Sequence, residues 1–265
     1  MDSHSFFSGY SNAIDRVPEA VYVLHERQEQ RFPFHKHRKG QLTYIEGGLA
    51  YLNTTDKAYF LPARHYIWIP PQLDHYVQHS NPALIVRNIY FPDEADLTHP
   101  FFSHLGIYPV SNLLLEMIVF TQEWKGDVLP DGTHFQFLQT LKHILPEVSR
   151  HPLPIVLPVT DNERLLPLIH YLHQHLSDPL QLPDVAQQFG FSVRSLSRLF
   201  QKTMNISFIQ YLKLCRIIRG MEELLQTDKS VSEIAYDVGY TSLSTFSNTF
   251  YQLVNQRPGE FRAMK

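Results

Sequence analysis

Apolar residues recur along this chain with two different periods, and the change of period divides it. Between residues 20 and 92, short runs rich in β-branched and aromatic side chains (21–24, 42–45, 49–52, 66–69 and 84–91) alternate with turn formers such as Gly47-Gly48, Pro70-Pro71 and Asn81-Pro82. Several short strands at this spacing predict a sandwich or barrel. Helical spacing then takes over. Residues 112–124 place Leu113, Met117, Phe120 and Trp124 on one stripe with Leu114 and Ile118 beside it, and residues 134–149 carry Leu138, Leu141, Leu145 and Val148 at steps of three and four. Pro130-Asp131-Gly132 separates the two, so they can form an antiparallel pair that packs on the sheet, joins two copies, or does both.

Residues 151–161 hold three prolines and cannot sustain a helix. They read as a linker between a domain at 1–155 and a second at 156–265. A helix capped by Asp161 or Asn162 follows and runs to about Leu176; Pro167 requires a distorted first turn or a start nearer Leu165. Beyond it one pattern occurs twice. The first copy runs from Pro183 through Val185-Ala186 and Gly190-Phe191 to Ser192 and Phe200; the second runs from Val231 through Ile234-Ala235 and Gly239-Tyr240 to Ser242 and Phe250. Each is a short amphipathic helix, a glycine that permits a sharp turn, and a hydroxyl that caps a second helix. Ser230-x-x-Glu233 is a capping box. Residues 208–226 form one long helix between the copies. Two helix-turn-helix units held about 34 Å apart can enter successive major grooves of DNA.

With Leu196, Leu199 and Phe200 turned inward, the first reading helix exposes Arg194, Ser195, Ser197 and Arg198, with Lys202 further along. Arg194 and Arg198 share a face, and arginine reads guanine through two hydrogen bonds. The second exposes Ser244, Thr245, Ser247 and Asn248, a set without a cation, and is expected to bind more weakly. Lys213, Arg216 and Arg219 on the long helix are either phosphate contacts or solubilising charges.

Charge supports this reading through its distribution. The formal net charge is -3, which argues against indiscriminate coating of nucleic acid. Yet no acidic residue falls between Asp184 and Glu222, where six cations do. A local basic surface on a mildly acidic protein suits site-specific binding. No run approaches ~18 uninterrupted apolar residues, so no membrane partner is expected. The N-terminus lacks a signal-peptide layout, and a single cysteine fits a reducing cytoplasm.

Residues 163–262 resemble the DNA-binding domain of the AraC/XylS family of bacterial transcription regulators. The resemblance runs through Leu196, Leu199-Phe200, Tyr211-Leu212, Arg216, Ile234-Ala235, Gly239-Tyr240, Phe246, Phe250, Pro258 and Phe261-Arg262. Four positions depart from the family pattern. Asn205 and Asn255 stand for glycines, Gly220 for an alanine at a cost of ~1 kcal/mol in helix propensity, and Asn248 for an arginine. In the N-terminal part, Phe34-His35-Lys36-His37 with Gln41, Trp68 and His75 is similar to the family's cupin-like sensor. The resemblance therefore implies an α+β protein of two domains, a cupin-like β-barrel with a helical pair followed by an all-α domain with two helix-turn-helix units. It implies promoter DNA, a small-molecule effector, RNA polymerase and a second copy of the chain as partners.

The barrel offers two chemistries. His35, His37 and His75 can together hold a divalent metal (Zn, Fe or Ni), although Gln41 occupies the place where metal-binding cupins carry a glutamate. The bland alternative is that these histidines make structural hydrogen bonds. Twelve of the 15 histidines fall at or before His151, and Arg38, Gln41, His65, Tyr66, Trp68 and Tyr90 are candidate contacts for a small polar or aromatic effector. A metal-dependent dioxygenase or isomerase with a DNA-binding tail is the alternative function. Gln41 and the lack of an acid–base or nucleophilic set weigh against it.

Overall fold

The computed structural model describes residues 12–26, 34–46, 50–79, 85–93, 99–149, 152–153 and 155–263. Strands β1 (Val21–Glu26), β2 (Gly40–Glu46), β3 (Ala50–Asn53), β4 (Lys57–Leu61), β5 (His65–Ile69), β6 (Tyr76–His79) and β7 (Ile85–Phe91) come first. They are followed by α1 (Pro100–Ser103), β8 (Gly106–Pro109), α2 (Asn112–Phe120), β9 (Gly126–Val128) and α3 (Thr133–Val148). The expected strands at 21–24, 42–45, 49–52, 66–69 and 84–91 correspond to β1, β2, β3, β5 and β7. The Gly47-Gly48 and Asn81-Pro82 turns lie outside the described residues. Strands β4, β6, β8 and β9 had no counterpart in the pattern, being short and mixed in polarity.

The first compact unit comprises the chain up to Thr54 together with Leu61–Leu153. Its larger sheet has six strands in the order β8-β5-β2-β7-β1-β9, and β3 pairs with β6 in a second sheet. Strand alternation gives the larger sheet two different faces. Leu42, Tyr44, Tyr66, Trp68, Ile89 and Phe91 pack against Leu114 and Ile118 of α2 and Leu138, Leu141 and Leu145 of α3. The opposite face carries Gln41, Thr43, Asn88 and Tyr90, with Gln41 paired to Tyr90 and Thr43 to Asn88 across β2 and β7.

The α2 stripe is rotated from expectation. Leu114 and Ile118 are wholly buried, while Leu113 and Phe120, expected on the main stripe, are 61% and 64% exposed. Phe120 instead meets the Trp124 and Phe137 rings at 5.7 and 5.1 Å. Both i,i+4 series are apolar, so periodicity alone cannot choose between them; the sheet surface does.

The second unit comprises Thr55–Phe60 and Pro154 onward. It contains β10 (Val156–Pro158), α4 (Leu166–Gln174), α5 (Leu182–Gln188), α6 (Val193–Met204), α7 (Phe208–Gln226), α8 (Val231–Asp237), α9 (Leu243–Val254) and α10 (Pro258–Arg262). The proline-rich segment is thus more than a tether: Val156, Leu157 and Pro158 pair antiparallel with Tyr59, Ala58 and Lys57 of β4. The short β10–β4 pair, with β4 drawn from a distant part of the sequence, accompanies the helices of this unit. Helix α4 starts at Leu166 with Pro167 in its first turn, where no amide hydrogen is missed.

Candidate nucleic-acid interface and sensor-site geometry

The two helix-turn-helix units close their turns with the same bonds. In the first, Phe191 N–H donates to Ala186 O at 2.8 Å; in the second, Tyr240 N–H donates to Ala235 O at 2.9 Å. Each bond spans a glycine of positive φ, Gly190 at 71° and Gly239 at 89°, the geometry of a Schellman end. Ser192 accepts from Ser195 N–H and Ser242 from Thr245 N–H, capping α6 and α9. Ser230 and Glu233 form the reciprocal box at the start of α8. Asn205 and Asn255 end α6 and α9 in the left-handed conformation, with φ of 53° and 60°, so the departures from glycine preserve the turns.

Helix α6 buries Leu196, Phe200 and Met204. Arg194, Ser197, Arg198 and Lys202 are exposed, while Ser195 is half-buried and its hydroxyl donates to Ser192 O at 2.9 Å. On α9, Phe246, Phe250 and Val254 are buried, Ser244, Thr245 and Asn248 are exposed, and Ser247 is half-buried. Arg257, which sequence reasoning did not single out, lies beside this helix. Its guanidinium donates to Asn248 Oδ1 at 3.1 Å and sits 4.6 Å from the Tyr251 ring centroid. The second unit is therefore not without a cation. The left-handed turn at Asn255 folds the chain back, and a helix-face reading of 243–254 ends before that turn.

Two of the α7 cations have internal partners. Arg216 donates to Leu176 O at 3.0 Å and Asp178 O at 2.7 Å and lies over the Tyr240 ring at 5.9 Å. Arg219 pairs with Glu222 at 2.9 Å and Glu223 at 2.7 Å. Arg216 is thus a structural group rather than a phosphate contact or a solubilising charge, whereas Arg219 stays on the surface within ion pairs of its own helix. Lys213 remains exposed on α7, alongside Arg194, Arg198 and Lys202 of α6.

In the first unit, His35 and His75 face each other in an isolated antiparallel bridge and exchange two backbone hydrogen bonds of 2.9 Å. The His75 ring centroid lies 4.6 Å from that of His35 and 5.2 Å from that of His37. One ring nitrogen from each of the three lies within 4.8 Å of the others. His37 Nδ1–H donates to Lys39 O at 2.6 Å, and His75 Nδ1–H to Leu73 O at 2.8 Å. Burial pushes both imidazoles below their ordinary value, His75 to about 3, so both are neutral. A chain of side-chain bonds continues from this cluster: His37 Nε2 lies 2.8 Å from Gln41 Oε1, Gln41 Nε2–H donates to Thr43 Oγ1 and Asn88 Oδ1, and Thr43 donates to Asn88 Oδ1 at 2.7 Å. Tyr90 meets His37 edge-on at 5.1 Å.

The expected effector contacts are not brought together as a set. Gln41 and Tyr90 lie on the polar face, and His65 alternates onto that face of β5, with Nδ1–H donating to Ala63 O at 3.0 Å. Tyr66 and Trp68 point the other way, into the helix-covered core, where Trp68 donates to Phe102 O at 3.0 Å and the Tyr66 hydroxyl meets Ser149. Strand parity is the reason: neighbours on β5 cannot share a face with His65. Arg38 is exposed, its backbone N–H held by the Asp15 carboxylate at 2.9 Å. Thr43 and Asn88 were missed. Asn88 had a readable signal, a lone amide in the apolar run 84–91.

Comparisons with known proteins fit this division. A model described as a Helix-turn-helix domain matches residues 185–264, and one described as an AraC-like ligand binding domain matches residues 20–99. The chain is 25% identical over 252 residues to the HTH-type transcriptional regulator NimR of Escherichia coli (strain K12), a match covering 94% of this chain and 90% of that protein. It is 29% identical over 153 residues to the uncharacterized HTH-type transcriptional regulator YfiF of Bacillus subtilis (strain 168), where it spans only 48% of the relative's length and 57% of its own. A solved transcriptional regulator from Chromobacterium violaceum, described by its AraC-type DNA-binding domain, shares 31% identity over 38% of this chain and 89% of that one, with a TM-score of 0.37.

Proposed function

Because the chain belongs to the AraC/XylS family of transcription regulators, we propose that it reads promoter DNA mainly through α6 and responds to a ligand bound on the polar face of its sheet-rich unit. The observation that carries the first half is the exposure of Arg194 and Arg198, four residues apart on a helix capped and oriented by a helix-turn-helix turn. Ser195, Ser197 and Lys202 on α6 and Ser244, Thr245, Ser247 and Asn248 on α9, with Arg257 added, complete the proposed DNA contacts. Placement of α6 and α9 in successive major grooves requires a spacing of about 34 Å.

Gln41, His65 and Tyr90 are the proposed effector contacts, joined by Thr43 and Asn88. Arg38 contributes only if its exposed side chain turns toward the ligand, and Tyr66 and Trp68 act through packing. A homodimer, contact with RNA polymerase and residence in the cytoplasm belong to the same proposal. The exposed Leu113 and Phe120 of α2 support the first. The buried single cysteine, Cys215, with its thiol pushed up to about 12 by burial, is consistent with the last. Among the described residues no helix is long and apolar enough to cross a membrane. The relatives matched are named as regulators, which leaves the enzyme reading without support.

DNA fragments selected by the purified protein define the operator for the test. Arg198→Ala is expected to weaken operator binding by about 10- to 100-fold in a mobility-shift titration, the worth of one bidentate base contact. Unchanged affinity with an intact fold overturns the assignment of α6.

A further inference from the structure

The His35–His37–His75 cluster has the construction of a metal site. The backbone bridge fixes two of the histidines opposite each other, and His37 lies two residues beyond His35, on the same side of an extended chain. Two ring orientations are also set. The carbonyls of Lys39 and Leu73 accept from Nδ1 of His37 and His75, so each neutral ring presents Nε2 as its lone-pair nitrogen. Donation of the second ring N–H to a backbone carbonyl is the arrangement that orients imidazole ligands.

Two atoms are poorly served by protein alone. His75 Nε2 is buried with no hydrogen-bond partner, and its ring belongs to a residue with no exposed surface; such a group normally finds a partner. His37 Nε2 faces Gln41 Oε1 at 2.8 Å. With Nδ1 carrying the proton, two lone pairs meet there unless the amide turns over. A cation between them satisfies His75 Nε2, His37 Nε2 and the amide oxygen together. Nitrogens about 2.1 Å from a tetrahedral ion stand roughly 3.4 Å apart, and one ring nitrogen from each of the three histidines already lies within 4.8 Å of the others. His35 is half-buried, which leaves the cluster an approach from solvent.

We propose that His35, His37 and His75 bind one divalent transition-metal ion of the zinc, iron or nickel class, with Gln41 Oε1 as a weak fourth donor. The ligands are all neutral, so the bound ion keeps its full charge. An effector bearing an anionic oxygen or nitrogen donor is the chemistry such a site would recruit. This inference does not rest on the DNA-binding reading, and its test contains no DNA.

The experiment uses the full-length protein, stripped with chelator and dialysed against cobalt(II) or zinc(II). One equivalent of cobalt is expected, with the visible absorption of a four-coordinate nitrogen-rich site, and zinc is expected to displace it. His75→Gln is expected to lower affinity at least 10-fold and remove the absorption, while Gln41→Glu, which supplies a better ligand, is expected to tighten binding. Zinc is expected to raise the thermal-unfolding midpoint of the unaltered protein but not of His75→Gln. Absence of the cobalt spectrum from the unaltered protein, or equal binding by a folded His75→Gln variant, overturns the proposal.

Discussion

Arg216 lies within a run of cations but works inside the fold. Its guanidinium holds the carbonyls of Leu176 and Asp178 just past the end of α4 and crowds Gly239, where an added Cβ would come within 2.6 Å of it. Arg216→Met keeps the stem and removes the donors. It is expected to cost about 2 kcal/mol in urea unfolding, the scale of charged hydrogen bonds lost, while leaving the salt slope of DNA binding unchanged. Arg257→Ala is the converse case: little change in stability, and a fall of about one in the salt slope if its charge meets a phosphate. Gly220 also acquires a reason. A Cβ there would stand 3.0 Å from the Phe246 ring, so the residue that weakens helix propensity in α7 lets α9 pack closely.

At the scale of elements, the repeat is one local solution used twice with unequal tolerances. Both glycines have positive φ, but a Cβ at Gly190 meets nothing within 4 Å, whereas one at Gly239 falls 2.2 Å from Leu176 O. Gly190→Ala is expected to cost about 1 kcal/mol, the left-handed penalty alone, and Gly239→Ala several-fold more; thermal unfolding of the two variants checks the ratio. Ser192→Ala removes the acceptor for Ser195 N–H and is expected to cost about 1 kcal/mol. The caps and turns were legible in the sequence because each depends on residues within five positions. The phase of α2 was not, since its apolar series 113/117/120 and 114/118 satisfy the helical period equally well.

At the scale of the whole molecule, two expectations follow from burial and pairing. His25 and His65 are each pushed down to about 4, chiefly by burial. Between an ordinary imidazole value near 6.5 and about 4, the unfolded chain takes up protons that the folded chain refuses. Stability is therefore fully present above about pH 6.5 and lost as pH falls toward 4. The urea midpoint is expected to drop between pH 7 and pH 5, and His25→Gln to flatten that slope. A fragment beginning at residue 159 omits β10, whose partner β4 it would lack, and keeps α4 to α10. It is expected to retain operator recognition and lose the response to effector, read by mobility shift with and without ligand; a folded fragment that ignores the operator contradicts the division of labour.

The sequence by itself determined the paired helices of both helix-turn-helix units with their serine caps, the long helix between them, both glycine turns, five strands, the exposure of Arg194 and Arg198, and the histidines able to meet. All of these follow from periodicity and short-range bonding. It did not determine the start of α4, which begins at Leu166 without the expected Asp161 or Asn162 cap. Tertiary structure decided the rest: which face of β5 carries Tyr66 and Trp68, that a segment near residue 58 pairs with Val156–Pro158, that Arg216 turns inward and that Arg257 reaches Asn248. These depend on partners brought close by the fold, and the identity of a distant neighbour is not written in the residues beside it.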